Sequence, residues 1–327
     1  KSGTANLFID PVQQKPGLND PGFYSIIAYF DHDQLYPDHV LDYQCGNITF
    51  DNAEGYNHGG TDYFPWPFPW RQMYQEEMEV IAASSGVLIF KQDGNFDQQC
   101  ELNGEPWNGL TILHADGSTS WYIHLKDGSL TEKETGAQIE AGEYLGIIGS
   151  SGNTLAPHLH FEVYNDLEEL IDPFAGTCNN TVTASWWENQ AAYLESGVNK
   201  ISTNSALPVF SDCPLEEIPN ENEQFHPGDT IWLLSYFRNI YPDDLVQVTI
   251  TRPDNSVFYS WDWNSPWDFY TASWLYFYIV PDANEQKGTW LYQLDYKGAT
   301  YQHAFQYLES QSIKDNSEST QVNVHPN

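Results

Sequence analysis

The run Pro157-His158-Leu159-His160-Phe161-Glu162-Val163 reads as a β-strand with two different faces. A strand's side-chain period of two turns Leu159 and Phe161 toward a core and sets both imidazoles together on the opposite side. Such a segment needs neighbouring strands, and it places two metal-capable groups on one surface. Polar residues on the outer face of a half-buried strand are ordinary, so an isolated H-x-H is weak evidence for a metal. Its meaning depends on partners elsewhere in the chain.

Upstream lies His58-Gly59-Gly60-Thr61-Asp62, a histidine and a carboxylate at helical spacing. The glycine pair argues against a helix and for a turn or close backbone approach, so any convergence must come from loop geometry. Between the two runs stands Trp121-Tyr122-Ile123-His124-Leu125, a short apolar strand with one histidine. Alone, His124 reads as a hydrogen-bonded, partly buried residue. Spacing does not decide which imidazoles hold a metal, because both histidines of an H-x-H strand can bind one ion.

These pieces resemble the LytM and lysostaphin-type zinc metallopeptidases, the glycyl-glycine endopeptidases, and they stand in the same order. The resemblance covers His58-Gly59-Gly60-Thr61-Asp62, Val80-Ile81-Ala82-Ala83-Ser84-Ser85-Gly86-Val87 and Tyr122-Ile123-His124-Leu125. It continues through Gly142-Glu143-Tyr144-Leu145-Gly146-Ile147-Ile148-Gly149-Ser150-Ser151-Gly152 and Pro157 to Val163, closing with Asp172-Pro173-Phe174. It implies one zinc per chain held by His58, Asp62 and His160, with His124 and His158 as catalytic histidines that do not bind metal. Three N/O ligands leave a fourth position open, as hydrolytic zinc requires. In the implied mechanism His158 takes the proton of the attacking water and His124 hydrogen-bonds the oxyanion. Glu162 shares the histidine face and is a candidate acceptor for a ligand imidazole, although a solvated surface carboxylate is the favoured reading.

Asp and Glu number 46 against 12 Lys and Arg, a formal charge of −34. This excess disfavours nucleic acid and anionic membranes as partners and leans against anionic cell walls, although salt screens exposed charges beyond about 8 Å. With 40% hydrophobic residues the chain nonetheless has material for a core. No run is long enough to span a bilayer. No export signal is recognisable at Lys1, so the reading is a secreted mature form, expected to be monomeric and suited to a saline extracellular setting.

Cys45, Cys100, Cys178 and Cys213 show no C-x-x-C spacing and predict two disulfides. The favoured pairing is Cys45 with Cys100 and Cys178 with Cys213, bracing the catalytic domain and fastening a helical connector. That connector is expected over residues 181–205. Ser185 and Glu188 form a capping-box pattern, and Trp187, Ala191, Leu194, Val198 and Ile201 recur at helical spacing.

The fold class expected is therefore mainly β: an antiparallel-sheet peptidase domain over 1–180, the connector, and an immunoglobulin-like sandwich over 206–309. Short aromatic strands separated by Pro, Gly and Asn carry the last assignment. A loosely held polar tail is expected over 310–327. The run Tyr63-Phe64-Pro65-Trp66-Pro67-Phe68-Pro69-Trp70 is expected to be extended and free of helix. It is equally a groove wall or a strap packed in the core. His114 is assigned a structural role beside a hairpin turn, and His32, His39, His226, His303 and His325 are placed at the surface. The function implied is a metalloendopeptidase cutting next to glycine, in peptidoglycan peptides or glycine-rich proteins such as elastin. The alternative, an inactive scaffold or wall-binding protein with the same fold, is disfavoured because all five site positions are filled.

Overall fold

A computed structural model describes residues 7–210, 213–214 and 216–309. The expected polar tail and His325 lie outside the described residues. The mainly β class holds, with one short helix, Pro69–Gln75, among the described residues.

The N-terminal half is built on an eight-stranded sheet. Its path runs Tyr24–Ala28, Thr61–Pro65, Leu159–Tyr164, Thr119–Ile123, Gly109–Leu113, Gly86–Gln92 and Gln138–Ile139, while Leu170–Ile171 pairs with Leu159–Tyr164 off that path. All these pairings are antiparallel. A smaller sheet joins Val12–Gln14, Met78–Ile81 and Tyr144–Ile147. The alternation in Leu159–Tyr164 does what the sequence dictates: Leu159, Phe161 and Val163 are fully buried with Tyr122, Leu88 and Ile112. The other face is thereby committed to His160 and Glu162.

The C-terminal half is a sandwich of two sheets. One has the order Gly197–Asn204, Ile231–Ile240, Tyr270–Ile279, and the other Gln224–Phe225, Ala299–Tyr307, Gly288–Tyr296, Leu245–Thr251, Val257–Asn264. Their inner faces share a core that includes Leu233, Phe237, Val248, Ile250, Trp290 and Phe305.

Three expectations fail here. The connector is not helical: Trp187 and Leu194 pack in the N-terminal core, and Gly197–Asn204 is the sandwich's first strand. Ser185 accepts the main-chain N–H of Trp187 in a local turn, and the β-branched Val198, Ile201 and Thr203 fit a strand better than a helix. The cysteines pair as Cys45 with Cys178 and Cys100 with Cys213. Cys178 sits beside Cys45 because its N–H bonds the Tyr43 carbonyl, and the chain around Cys213 returns to the N-terminal half near Gln99 and Leu155. The proline-aromatic run is not helix-free, since Pro69 opens the helix Pro69–Gln75 at the first turn, where its missing N–H costs nothing.

That same run resolves as packing material. Trp66 and Phe68 are buried against Leu234 and Tyr236 of the sandwich, with Phe210 stacked on both rings. Asn199, fully buried on the first sandwich strand, adds hydrogen bonds from Nδ2 to the carbonyls of Tyr24 at 2.9 Å and Trp66 at 2.8 Å. The two halves are thus joined through a shared aromatic core, with the Cys100–Cys213 disulfide as a covalent tie.

Candidate metal centre

Asp62 lies on Thr61–Pro65 and His160 on the neighbouring strand, and the two are register partners. His58 enters from the preceding turn. The turn's glycines are required by crowding: a Cβ on Gly60 would stand 2.5 Å from the Phe161 carbonyl oxygen and 2.9 Å from His160 Cε1.

The three side chains meet in a compact triangle. His160 Nδ1 is 2.8 Å from Asp62 Oδ1, His58 Nε2 is 3.1 Å from the same oxygen, and the two nitrogens are 3.1 Å apart. All three residues are buried. The outer nitrogen of each ring is already engaged. His58 Nδ1–H donates to the Tyr29 carbonyl at 2.7 Å, and His160 Nε2–H donates to Glu162 Oε1 at 2.9 Å. Glu162 is held in turn by the Tyr164 hydroxyl. Glu162 is thus engaged with a ring of the triangle, and the favoured reading of it as a solvated surface carboxylate is corrected.

This donor set fits a cation. Bonds of about 2.0–2.2 Å to tetrahedral zinc put ligand atoms roughly 3.3 Å apart, within a few tenths of an ångström of the observed triangle. The ligand types, two imidazoles and one carboxylate, are those of hydrolytic zinc sites, and three of them leave a position open.

His124 and His158 border the triangle, their ring centroids 4.7 Å apart. His158 Nε2 comes within 3.6 Å of Asp62 Oδ1, whereas its Nδ1–H donates to the Ala156 carbonyl at 2.9 Å. His124 Nδ1–H donates to the Ser151 carbonyl at 2.6 Å. In its neutral form His158 turns an Nε2 lone pair toward Asp62, and the same tautomer leaves His124 an Nε2 lone pair beside His158 and His160. Burial disfavours the imidazolium of each, and neighbouring histidines push His124 further down. His124 reaches its place through a left-handed backbone, φ 73°, which a residue with a side chain rarely adopts.

Electrostatics separate the triangle from these two rings. Burial opposes charging Asp62, but the neighbouring His58 and His158 rings and the hydrogen bonds of His160 and His58 hold its carboxyl well below the usual range. For His160 burial acts downward, yet hydrogen bonds to Asp62 and Glu162 prevail and push it up to about 10.

His114 is structural, its Nδ1–H on the Ser85 carbonyl and its Nε2 accepting from Ser120. His32 is a correction: it is buried, and its Nε2–H donates to Asp172 Oδ2 at 2.9 Å. The carboxylate of the Asp172-Pro173-Phe174 run, distant in sequence, supplies the partner that burial demands. His226 and His303 are half-buried and His39 is exposed. Phe50 is a residue that the sequence did not flag; its ring stacks on His58 with centroids 4.5 Å apart.

Comparison with known proteins gives a concordant family. Residues 72–173 match the model of peptidase family M23, a stretch that contains His124, His158 and His160. His58 and Asp62 precede it and join it through the pairing of Asp62 with His160. The DD-carboxypeptidase/endopeptidase Mpg of Neisseria meningitidis serogroup B is 34% identical over 83 residues, 25% of this chain and 16% of that protein. The matched stretch thus spans about a sixth of the curated relative's length. Among solved structures, the catalytic domain of the antimicrobial peptidase lysostaphin from Staphylococcus simulans is 24% identical, with 38% of this chain and 83% of that chain covered and a TM-score of 0.28. The complete lysostaphin of the same organism is 14% identical over 86% of this chain and 87% of that one, with a TM-score of 0.30.

Proposed function

We propose that this chain, whose residues 72–173 match the model of peptidase family M23, is a secreted zinc metalloendopeptidase cutting peptide bonds next to glycine. The substrates proposed are peptidoglycan peptides or glycine-rich proteins such as elastin. The observation that carries this reading is the convergence of His58 Nε2, Asp62 Oδ1 and His160 Nδ1, with two neutral histidines beside them.

His58, Asp62 and His160 would hold the metal. Bound zinc supplies Lewis acidity for the scissile carbonyl and lowers the pKa of water to about 7. His158, its Nδ1 proton committed to Ala156, offers Nε2 as acceptor for the proton of the attacking water. His124 offers Nε2 in the same tautomer, so it can donate to an oxyanion only after gaining a proton. Stabilisation by His124 thus follows proton uptake. Whichever ring is protonated points that proton into the centre, ready for the leaving amine. Two disulfides, and no helix among the described residues long and apolar enough to cross a membrane, are consistent with an extracellular setting.

Metal content and turnover test the reading together. The purified chain should hold about one zinc and cleave a glycine-rich peptide, and His158→Ala should keep the metal while losing roughly 10²–10⁴ in rate. Zinc loss in that variant would overturn the ligand assignment. Zinc-loaded protein inert on both peptidoglycan and elastin would overturn the activity.

A further inference from the structure

The ten-residue strand Tyr270–Ile279 ends the three-stranded sheet of the sandwich and lacks the features that ordinarily keep an edge from pairing. Natural edge strands are short, charged or interrupted by proline. This one reads Tyr-Thr-Ala-Ser-Trp-Leu-Tyr-Phe-Tyr-Ile, with neither charge nor proline, in a chain where 18% of residues are charged.

Its first half is covered. The Thr271 carbonyl accepts Ser25 Oγ at 2.6 Å and the Ser273 carbonyl accepts Trp66 Nε1 at 3.3 Å. Odd-numbered residues therefore turn their main chain away from the partner strand Ile231–Ile240. Antiparallel alternation directs the N–H and C=O groups of Leu275, Phe277 and Ile279 the same way. Among the described residues, no strand pairs with them.

Beside this row lies a groove of about 680 Å³, lined by Phe258, Tyr259, Trp261, Phe277 and Ile279 among others. Its far wall is Val257–Asn264, the last strand of the five-stranded sheet. Trp261 Nε1 is buried there with no hydrogen-bond partner among the described residues. The sandwich has room for one more strand at this corner.

We propose that the edge receives an extended, uncharged stretch of a protein polymer as an added strand. Its main chain pairs with Leu275, Phe277 and Ile279, and alternate side chains enter the groove. The identification of that polymer as the substrate rests on the peptidase reading above. Main-chain pairing gives affinity with little dependence on sequence, while the apolar groove selects against charge. The covered half of the strand abuts Ser25, on the strand next to the one bearing Asp62, so the docked chain is held beside the catalytic sheet. A second copy is a poor occupant, since each chain carries a formal charge of −34. A glycan would use the exposed rings and leave the amides of the edge unpaired.

Amide hydrogen exchange on the full zinc-loaded chain tests this with a short uncharged peptide of alternating valine and threonine, which lacks glycine. Saturating peptide should slow exchange at Leu275, Phe277 and Ile279 about tenfold. Ile279→Pro removes an edge N–H at a position where proline is tolerated, and should weaken peptide binding about tenfold. Ile279→Ala keeps the N–H and should weaken it much less. Equal loss in the two variants would reduce the effect to side-chain packing and overturn strand addition. Protection that rises with the chain's own concentration would assign the edge to a second copy. Protection near Trp261 by a peptide-free glycan, with none from the peptide, would assign the groove to sugar. Either result overturns the proposal. The readout needs no turnover, so a chain that binds the peptide yet cuts nothing defeats only the peptidase reading, and an active chain without protection defeats only this one.

Discussion

Asp62 and His160 face each other across adjacent antiparallel strands, so main-chain pairing sets the separation of two of the proposed metal ligands before any metal arrives. The remaining freedom lies in ring orientation, and Glu162 removes it for His160.

Glu162→Leu should therefore lower zinc affinity by about 10–100-fold while leaving the fold intact, because the His160 ring loses the acceptor that fixes its tautomer. Glu162→Gln, which keeps an acceptor oxygen, should lose less. Competition with a zinc-sensitive dye gives both affinities, and equal values in the two variants would deny Glu162 an orienting role.

Zinc uptake should release protons. His160 is raised to about 10 by Asp62 and Glu162, so near pH 7 its ring is charged in the metal-free chain and must lose a proton to coordinate. About one proton per zinc should appear in weakly buffered solution, and apparent affinity should fall roughly tenfold for each pH unit lost. Uptake without proton release would place the neutral ring in the metal-free state.

Gly60→Ala should cost about 1–3 kcal/mol and most of the bound metal, because the new Cβ displaces either the Phe161 carbonyl or the His160 ring. Chemical denaturation and metal analysis read the two effects separately. A variant with full metal and unchanged stability would show that the turn can relax.

His114 predicts the sign of one pH effect. Burial holds its folded-state pKa below the ordinary value of 6.5, so between the two values the unfolded chain binds a proton that the native chain refuses. The contribution is complete above about 6.5 and is lost as pH falls, at up to about 1.4 kcal/mol per unit. His114→Gln, less stable at pH 7, should show a shallower decline in urea midpoint between pH 7 and 5. A parallel decline would exclude His114 as a source.

Asn199→Ala removes the donor that serves the carbonyls of Tyr24 and Trp66, and should cost about 2 kcal/mol or more. Because the halves share a core, calorimetry should still show one transition. Two separated transitions in the parent chain would contradict that coupling.

That His58, Asp62, His124, His158 and His160 gather was hinted at by local patterns: an alternating strand, a glycine pair, a lone histidine after an apolar strand. Their division into ligands and catalytic histidines came from the family resemblance alone, and Glu162, favoured as a solvated surface carboxylate, instead bonds the His160 ring. What escaped depends on distant parts of the chain. The supposed helical stripe is two cores read as one, with Trp187 and Leu194 in the first and Val198 and Ile201 in the second. Disulfide pairing follows where residues 178 and 213 return after folding, which spacing does not encode. The proline-aromatic run was undecidable alone, since its covering residues Leu234 and Tyr236 lie in the other half. His32 was misplaced for the same reason, its carboxylate partner being far along the chain.

The packing of Trp66 and Phe68 into the sandwich bears on how such a chain can diversify. Domains joined by a loose linker can be traded between lineages without harm to either. Here a graft at the junction would strip an aromatic surface directly following the strand that carries Asp62. New binding preferences must therefore arise by substitution within the resident sandwich, in step with the N-terminal half, and not by exchange of the whole module.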